Sequence, residues 1–131
     1  MKLKILIISA RYYKDFSKSL ELYAISILKL KKVKYKIVSV PGVFEIPVVI
    51  SKNVRKYDGF IALGCVIKGE TPHFDFISQA TTDAIMKLSI HYKKPIGNGI
   101  ITSLNKLQAA NRSKKKGGEA ANAVIKVLDN F

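Results

Sequence analysis

"FIALGCVIKGETPHFDF", residues 60–76, decides the fold. Its first half, Phe60–Ile67, is an almost unbroken apolar run, as expected of a strand covered on both faces. A Gly-x-Thr-Pro turn at 69–72 ends the run, with Thr71 suited to a helix N-cap and Pro72 to the first helical position. From 73 to 93 the apolar stripe Phe74, Ile77, Thr81, Ala84, Ile85, Leu88 and Tyr92 follows helical spacing. Buried strand, turn and amphipathic helix are consecutive parts of a βαβ unit.

Read outward, the same pattern recurs. Leu3–Ile8, Tyr35–Val40 and Pro95–Ile101 are further apolar runs rich in β-branched residues. Helical stripes occupy 17–32 (Leu20, Ala24, Ile27, Leu28), a shorter segment at 44–55 with Pro47 in its first turn, and the C-terminal stretch (Ala120, Val124, Val127, Leu128, Phe131). Strand and helix alternate four times, which implies right-handed crossovers and a parallel sheet covered on both faces, in one domain spanning 1–131. Such sheets bind ligands beyond the carboxyl ends of their strands. That rule selects four loops: Ala10–Tyr13, Pro41–Glu45, Lys68–His73 and Thr102–Asn105. The chain has neither Gly-x-Gly-x-x-Gly after its first strand nor a Gly-Lys-Ser/Thr loop, so nothing supports a dinucleotide or nucleoside triphosphate site.

Composition narrows the classes further. The 131 residues are 48% hydrophobic, enough for one sizeable core, and the single cysteine, Cys65, excludes a disulfide framework or a cysteine-based zinc site. No apolar run approaches a membrane span and no leader peptide opens the chain, so a cytoplasmic protein without a membrane partner is expected. The net charge is +14, from 23 basic against 9 acidic residues. Only Arg11, Arg55 and Arg112 carry arginine's fork, and the lysines are scattered. A solvated lysine coat is therefore expected, with weak binding to polyanions at low salt and no specific nucleic-acid partner.

Three of the four loops and the basic stretch at 112–116 hold the unusual residues, and each admits two readings. His73, in a first helical turn, is disfavoured as imidazolium by the helix dipole and is poised to accept a proton; a lone histidine is also often structural. The backbone N–H groups of Gly69–Thr71 suit an anion such as phosphate. Glu45, following Pro41-Gly42, is either a helix-start carboxylate or an acceptor for sugar hydroxyls. Tyr12 and Tyr13 are either half-buried or able to stack on a planar heterocycle. Arg112, before Lys114–Lys116, is suited to bidentate phosphate binding, though a solvated basic run is common.

Together the motifs are specific. "PGVFEIP" at 41–47, "GCVIKGETPHFD" at 64–75, "NGI" at 98–100, "QAANR" at 108–112 and "KGGEAA" at 116–121 stand in the order found in the lumazine synthase family, which the chain resembles over essentially its whole length. The resemblance implies a flavodoxin-like three-layer α/β/α sandwich with a parallel sheet in the order 2-1-3-4. It implies a cofactor-free and metal-free riboflavin-pathway reaction: 5-amino-6-(D-ribitylamino)uracil condenses with 3,4-dihydroxy-2-butanone 4-phosphate, giving 6,7-dimethyl-8-ribityllumazine, phosphate and water. Carried over by position, Tyr12 stacks on the pyrimidine, Val43, Phe44 and Glu45 meet the ribityl chain, and Cys65, Val66 and Ile67 lie along the ring. Glu70 and Thr71 face the butanone phosphate and His73 shuttles protons. From an adjacent subunit Asn98 closes the pocket and Arg112 binds phosphate, with Lys116 as a further phosphate contact.

Family members are homopentamers with sites between subunits. Some assemble twelve pentamers into a hollow shell, and association with riboflavin synthase is part of the same resemblance. The chain departs from the pattern at three places. Asn98 replaces a common pocket phenylalanine, the 112–116 loop is shorter than usual, and the chain starts at the first core strand. Two rivals make different predictions: a binding module of the same architecture without turnover, and a basic protein whose nucleic-acid affinity falls steeply with salt.

Overall fold

The computed structural model describes residues 2–69 and 74–131. Four strands, β1 (Lys4–Ala10), β2 (Lys34–Val40), β3 (Gly59–Ile67) and β4 (Ile96–Ser103), form one parallel sheet in the order β2-β1-β3-β4. The helices are α1 (Lys14–Leu30), α2 (Ile46–Asn53), α3 (Phe74–Tyr92) and α4 (Lys106–Asn130), with a 3₁₀ turn at Val43–Glu45. The expected sheet order and α/β architecture are both present.

Side-chain alternation divides the core in two. Odd-numbered residues of β1 and β3, among them Ile5, Ile7, Ile61, Leu63 and Ile67, pack with Leu20, Ala24 and Leu28 of α1 and Ala120, Ala121 and Val124 of α4. Even-numbered Leu6, Ile8, Ala10, Phe60, Ala62 and Val66 pack on the other face with Val43, Ile46, Ile50 and Ile85. Phe60 is fully buried, so truncation to alanine would cost about 3–5 kcal/mol.

Burial on both faces holds for the central strands and fails at the edges. β3 is buried at every position and β1 from Ile5 onward, whereas β2 is only partly buried. In β4 buried Gly97, Gly99, Ile101 and Ser103 alternate with exposed Asn98 and Thr102 and half-buried Ile96 and Ile100. Each edge strand has one neighbour, and among the described residues no helix fully covers the outer side of β4. The apolar composition of an edge run does not reveal this.

Two helix boundaries and three core assignments also differ from expectation. The 44–55 helix divides: Glu45 N–H donates to Gly42 O at 3.2 Å, making a 3₁₀ turn, and α2 begins at Ile46 with Pro47 in its first turn. Residues 112–116, expected as a loop, lie inside α4, which runs unbroken through Gly117-Gly118. The helix is started by Asn105, whose Oδ1 accepts from Gln108 N–H at 2.9 Å. Each glycine costs a helix interior about 1 kcal/mol relative to alanine. At 117 the smallness is needed, because a Cβ would collide with the Leu20 carbonyl oxygen where α1 and α4 cross. Finally, Tyr92, Val127 and Phe131, read as core, are exposed; α3 is near its end at Tyr92 and Phe131 lies beyond α4.

Candidate active site

Three strand ends converge on one cavity of about 210 Å³. After β1 the chain turns through Arg11, Tyr12 and Tyr13 into α1. The turn is held by backbone and side chain alike: Arg11 N–H donates to Val40 O (3.0 Å), and the buried Ser17 hydroxyl donates to Ala10 O (2.6 Å). Arg11 and Glu21 form a two-pronged ion pair, Nη2 to Oε1 at 2.8 Å and Nε to Oε2 at 3.0 Å, and the Ser9 hydroxyl donates to Oε2 at 2.6 Å. The pairing raises the Arg11 pKa, chiefly through its hydrogen bond to Glu21, and keeps the guanidinium charged. This is the one ion pair the described residues make among themselves, so no other lysine or arginine of that set pairs with a carboxylate.

Tyr12 emerges from the turn 66% exposed, its ring edge-on to Tyr13 with centroids 4.8 Å apart. Opposite it stands the 3₁₀ turn. Val43 is buried against β3, Phe44 projects outward at 63% exposure, and Glu45 Oε1 accepts from Gly42 N–H at 3.0 Å. Glu45 Oε2 makes no hydrogen bond among the described residues, which leaves an acceptor at the cavity wall. Cys65 and Val66 line the cavity from β3, and Ile77 from α3. Burial pushes the Cys65 thiol up to about 11, so it is neutral near pH 7 and serves as an apolar wall rather than a thiolate nucleophile.

Tyr12, Val43, Phe44, Glu45, Cys65 and Val66 are thus brought together. Ile67 is not: at 1% exposure it packs into the core between the sheet and the α1–α4 layer, on the opposite face from Val66. Arg112 and Lys116 line a separate cavity of about 470 Å³, with Ile100, Thr102 and Glu119. Arg112 reaches it from α4 and donates from Nη1 to Thr102 O at 2.7 Å. Asn98 is exposed on the uncovered side of β4, where its Oδ1 accepts from Ile100 N–H at 3.1 Å, and does not line the Tyr12 cavity. Glu70, Thr71 and His73 lie outside the described residues. The second histidine, His91, is exposed in the last turn of α3, its ring edge-on to Tyr92.

Sequence reading missed Ser9 and Glu21, and assigned Ile77 only to the core. Glu21 had one legible signal: an acid beside the buried Ser17-Leu20-Ala24 stripe, in a chain with nine acids. Among the described residues no three His, Cys, Asp or Glu side chains gather as a metal site would need, and no helix is long and apolar enough to cross a membrane.

A parallel α/β sheet with a cleft at its carboxyl edge, walled by an aromatic ring and a carboxylate, is a flavodoxin-like α/β fold with a candidate small-molecule site where such sheets bind their ligands. Comparison with known proteins agrees. Residues 2–131 match the family model described as 6,7-dimethyl-8-ribityllumazine synthase, and the chain belongs to that family of transferases. Proteins of that name from Bartonella henselae (46% identical over 132 residues, 95% of this chain and 85% of the relative) and Bartonella tribocorum (42% over 128, 92% and 85%) are among its relatives. A solved structure of the lactose-specific IIB component domain of a phosphotransferase system from Streptococcus pneumoniae covers 100% of this chain and 99% of its own at 16% identity. Its TM-score is 0.39.

Proposed function

We propose that the chain condenses 5-amino-6-(D-ribitylamino)uracil with 3,4-dihydroxy-2-butanone 4-phosphate to form 6,7-dimethyl-8-ribityllumazine, phosphate and water. Within the family assignment, one observation carries the residue roles: six of the residues expected to hold the pyrimidine and its ribityl chain surround a single cavity. Tyr12 offers a ring face to the pyrimidine. Glu45 Oε2 accepts from ribityl hydroxyls while Oε1 holds its own turn together, and Phe44, Val43, Cys65 and Val66 supply apolar walls.

His73 is the proton shuttle as the Schiff base forms and phosphate leaves, with Glu70 and Thr71 beside the butanone phosphate. Arg112 and Lys116 bind that phosphate for a neighbouring subunit, and Asn98 closes the neighbour's pocket. Supporting this is the separation of the Arg112 cavity from the Tyr12 cavity, together with the uncovered face of β4 that bears Asn98. The working unit in this reading is a cytoplasmic homopentamer in which each site draws on two chains, and 1–131 acts as one domain. Most of the rate comes from holding two substrates in register, with acid–base help from His73. Incubating purified protein with both substrates and following lumazine absorbance and fluorescence tests the reaction. Pyrimidine binding without lumazine formation would refute it.

A further inference from the structure

We infer that Glu21 is a positioning residue: with Arg11 and Ser9 it braces the β1–α1 turn so that Tyr12 presents its ring to the cavity. The inference rests on the reading of Tyr12 as the pyrimidine's stacking partner. Tyr12 is two-thirds exposed, and its only ring partner among the described residues is Tyr13. A ring with so little packing is aimed by its backbone.

That backbone is held from the α1 side. Arg11 N–H still bonds to Val40 O just beyond the end of β1, and the chain then bends at Tyr12 and Tyr13 into α1. Holding Arg11 against α1 fixes the start of this bend, and Tyr12, the next residue, lines the cavity together with Gly42 and Val43. Glu21 does the holding. Its side chain is 14% exposed, both oxygens are engaged, and three donors converge on it from the strand end (Ser9) and the turn (Arg11). Charge-assisted and bidentate contacts of this kind fix geometry as well as add energy. A partly desolvated carboxylate committed wholly to one turn is more than a surface pair requires.

Stacking on Tyr12 is made alike in the ground and transition states, so its loss raises KM and leaves kcat alone. The experiment compares wild type with Glu21→Ala, Glu21→Gln, Arg11→Ala and the Glu21→Ala/Arg11→Ala pair, measuring KM for each substrate, kcat and Tm. Glu21→Ala and Arg11→Ala are expected to raise KM for the pyrimidine on the order of 10-fold, with kcat and the butanone phosphate KM within about twofold. The double variant should be no worse than the poorer single one, because one brace cannot be removed twice. Glu21→Gln, which keeps one acceptor oxygen but loses the charge and the second oxygen, should fall between, and it carries the test if the alanine variants do not fold.

A lowered Tm with an unchanged pyrimidine KM would overturn the inference, since that is what a purely structural pair yields. Equal damage to both substrates' KM values would do the same. Calorimetric titration with the pyrimidine alone separates this inference from the function it rests on. Wild type that binds the pyrimidine without making lumazine sinks the reaction, while the variants' affinities still read the brace. Lumazine formation with wild-type pyrimidine affinity in every variant sinks the brace alone.

Discussion

Gly64→Ala tests whether the 3₁₀ turn rests on β3. A Cβ at position 64 would stand 2.5 Å from Val43 Cγ1 and 3.1 Å from Ala10 Cβ, where ordinary contact begins at 3.4 Å. Val43 must therefore retreat by about 0.9 Å, because interiors at crystal-like density have no slack to absorb the methyl group. β3 cannot move instead, being paired with β1 on one side and β4 on the other. The displaced element is the turn that carries Phe44 and Glu45, so overpacking at a core glycine becomes misplacement at the cavity wall. The stability cost should be about 1–3 kcal/mol, the usual range for an added methyl group in a filled core. A positioning error near 1 Å can cost about 10²-fold in rate; with one wall of the cavity moved, about 10-fold in kcat/KM is expected. Urea unfolding followed by circular dichroism gives the first quantity and lumazine formation the second. A variant within about 0.5 kcal/mol of wild type and equally active would show that the turn does not bear on β3.

Three further outcomes are expected. His73→Ala should slow turnover on the order of 10²-fold while leaving pyrimidine binding nearly intact, and co-assembled mixtures with Arg112→Ala should recover activity that neither variant has alone. A mixture no better than the average of its parents would place the two residues in one subunit's site. Gly117→Ala should destabilise by about 1–3 kcal/mol through the Leu20 carbonyl. Gly118→Ala, whose nearest neighbour would stand at 3.6 Å, should stabilise by up to about 1 kcal/mol, and thermal melts would expose any reversal of that order. Because burial lifts the Cys65 thiol from 9.0 to about 11, the folded chain keeps this proton longer than the unfolded one. Its contribution is complete below pH 9.0 and is lost as pH rises through about 11, so urea midpoints of wild type and Cys65→Ala should diverge across that window, wild type falling faster.

The parts of the fold legible in the sequence were those governed by local patterning. Phe60–Ile67 reads as a doubly buried strand because each position meets a hydrophobic layer, and β3 is buried throughout. Two of the four strand-end loops meet at one cavity, because the order β2-β1-β3 places 11–13 and 41–45 side by side. What failed depended on partners distant in sequence. Residues 112–116 read as a loop until α1 is brought against α4, when the missing Cβ at Gly117 becomes the reason the helix can pass. Ile67 and Val66 are equivalent in composition and differ only in which face of the pleat each occupies. Glu21 lies ten residues from Arg11 and twelve from Ser9, so its part in the turn emerges only once helix and strand are packed.

The single ion pair among the described residues bears on how copies of the chain meet. With +14 net charge and a single pairing of cation with carboxylate among the described residues, each molecule is in effect a positively charged colloid particle. Two such bodies repel over the screening distance, about 8 Å at physiological ionic strength and about 30 Å at 0.01 M. Added salt shortens that reach without weakening the apolar contacts an interface would make. Dilute buffer should therefore drive the copies apart and salt draw them together, the reverse of an assembly held by ion pairs.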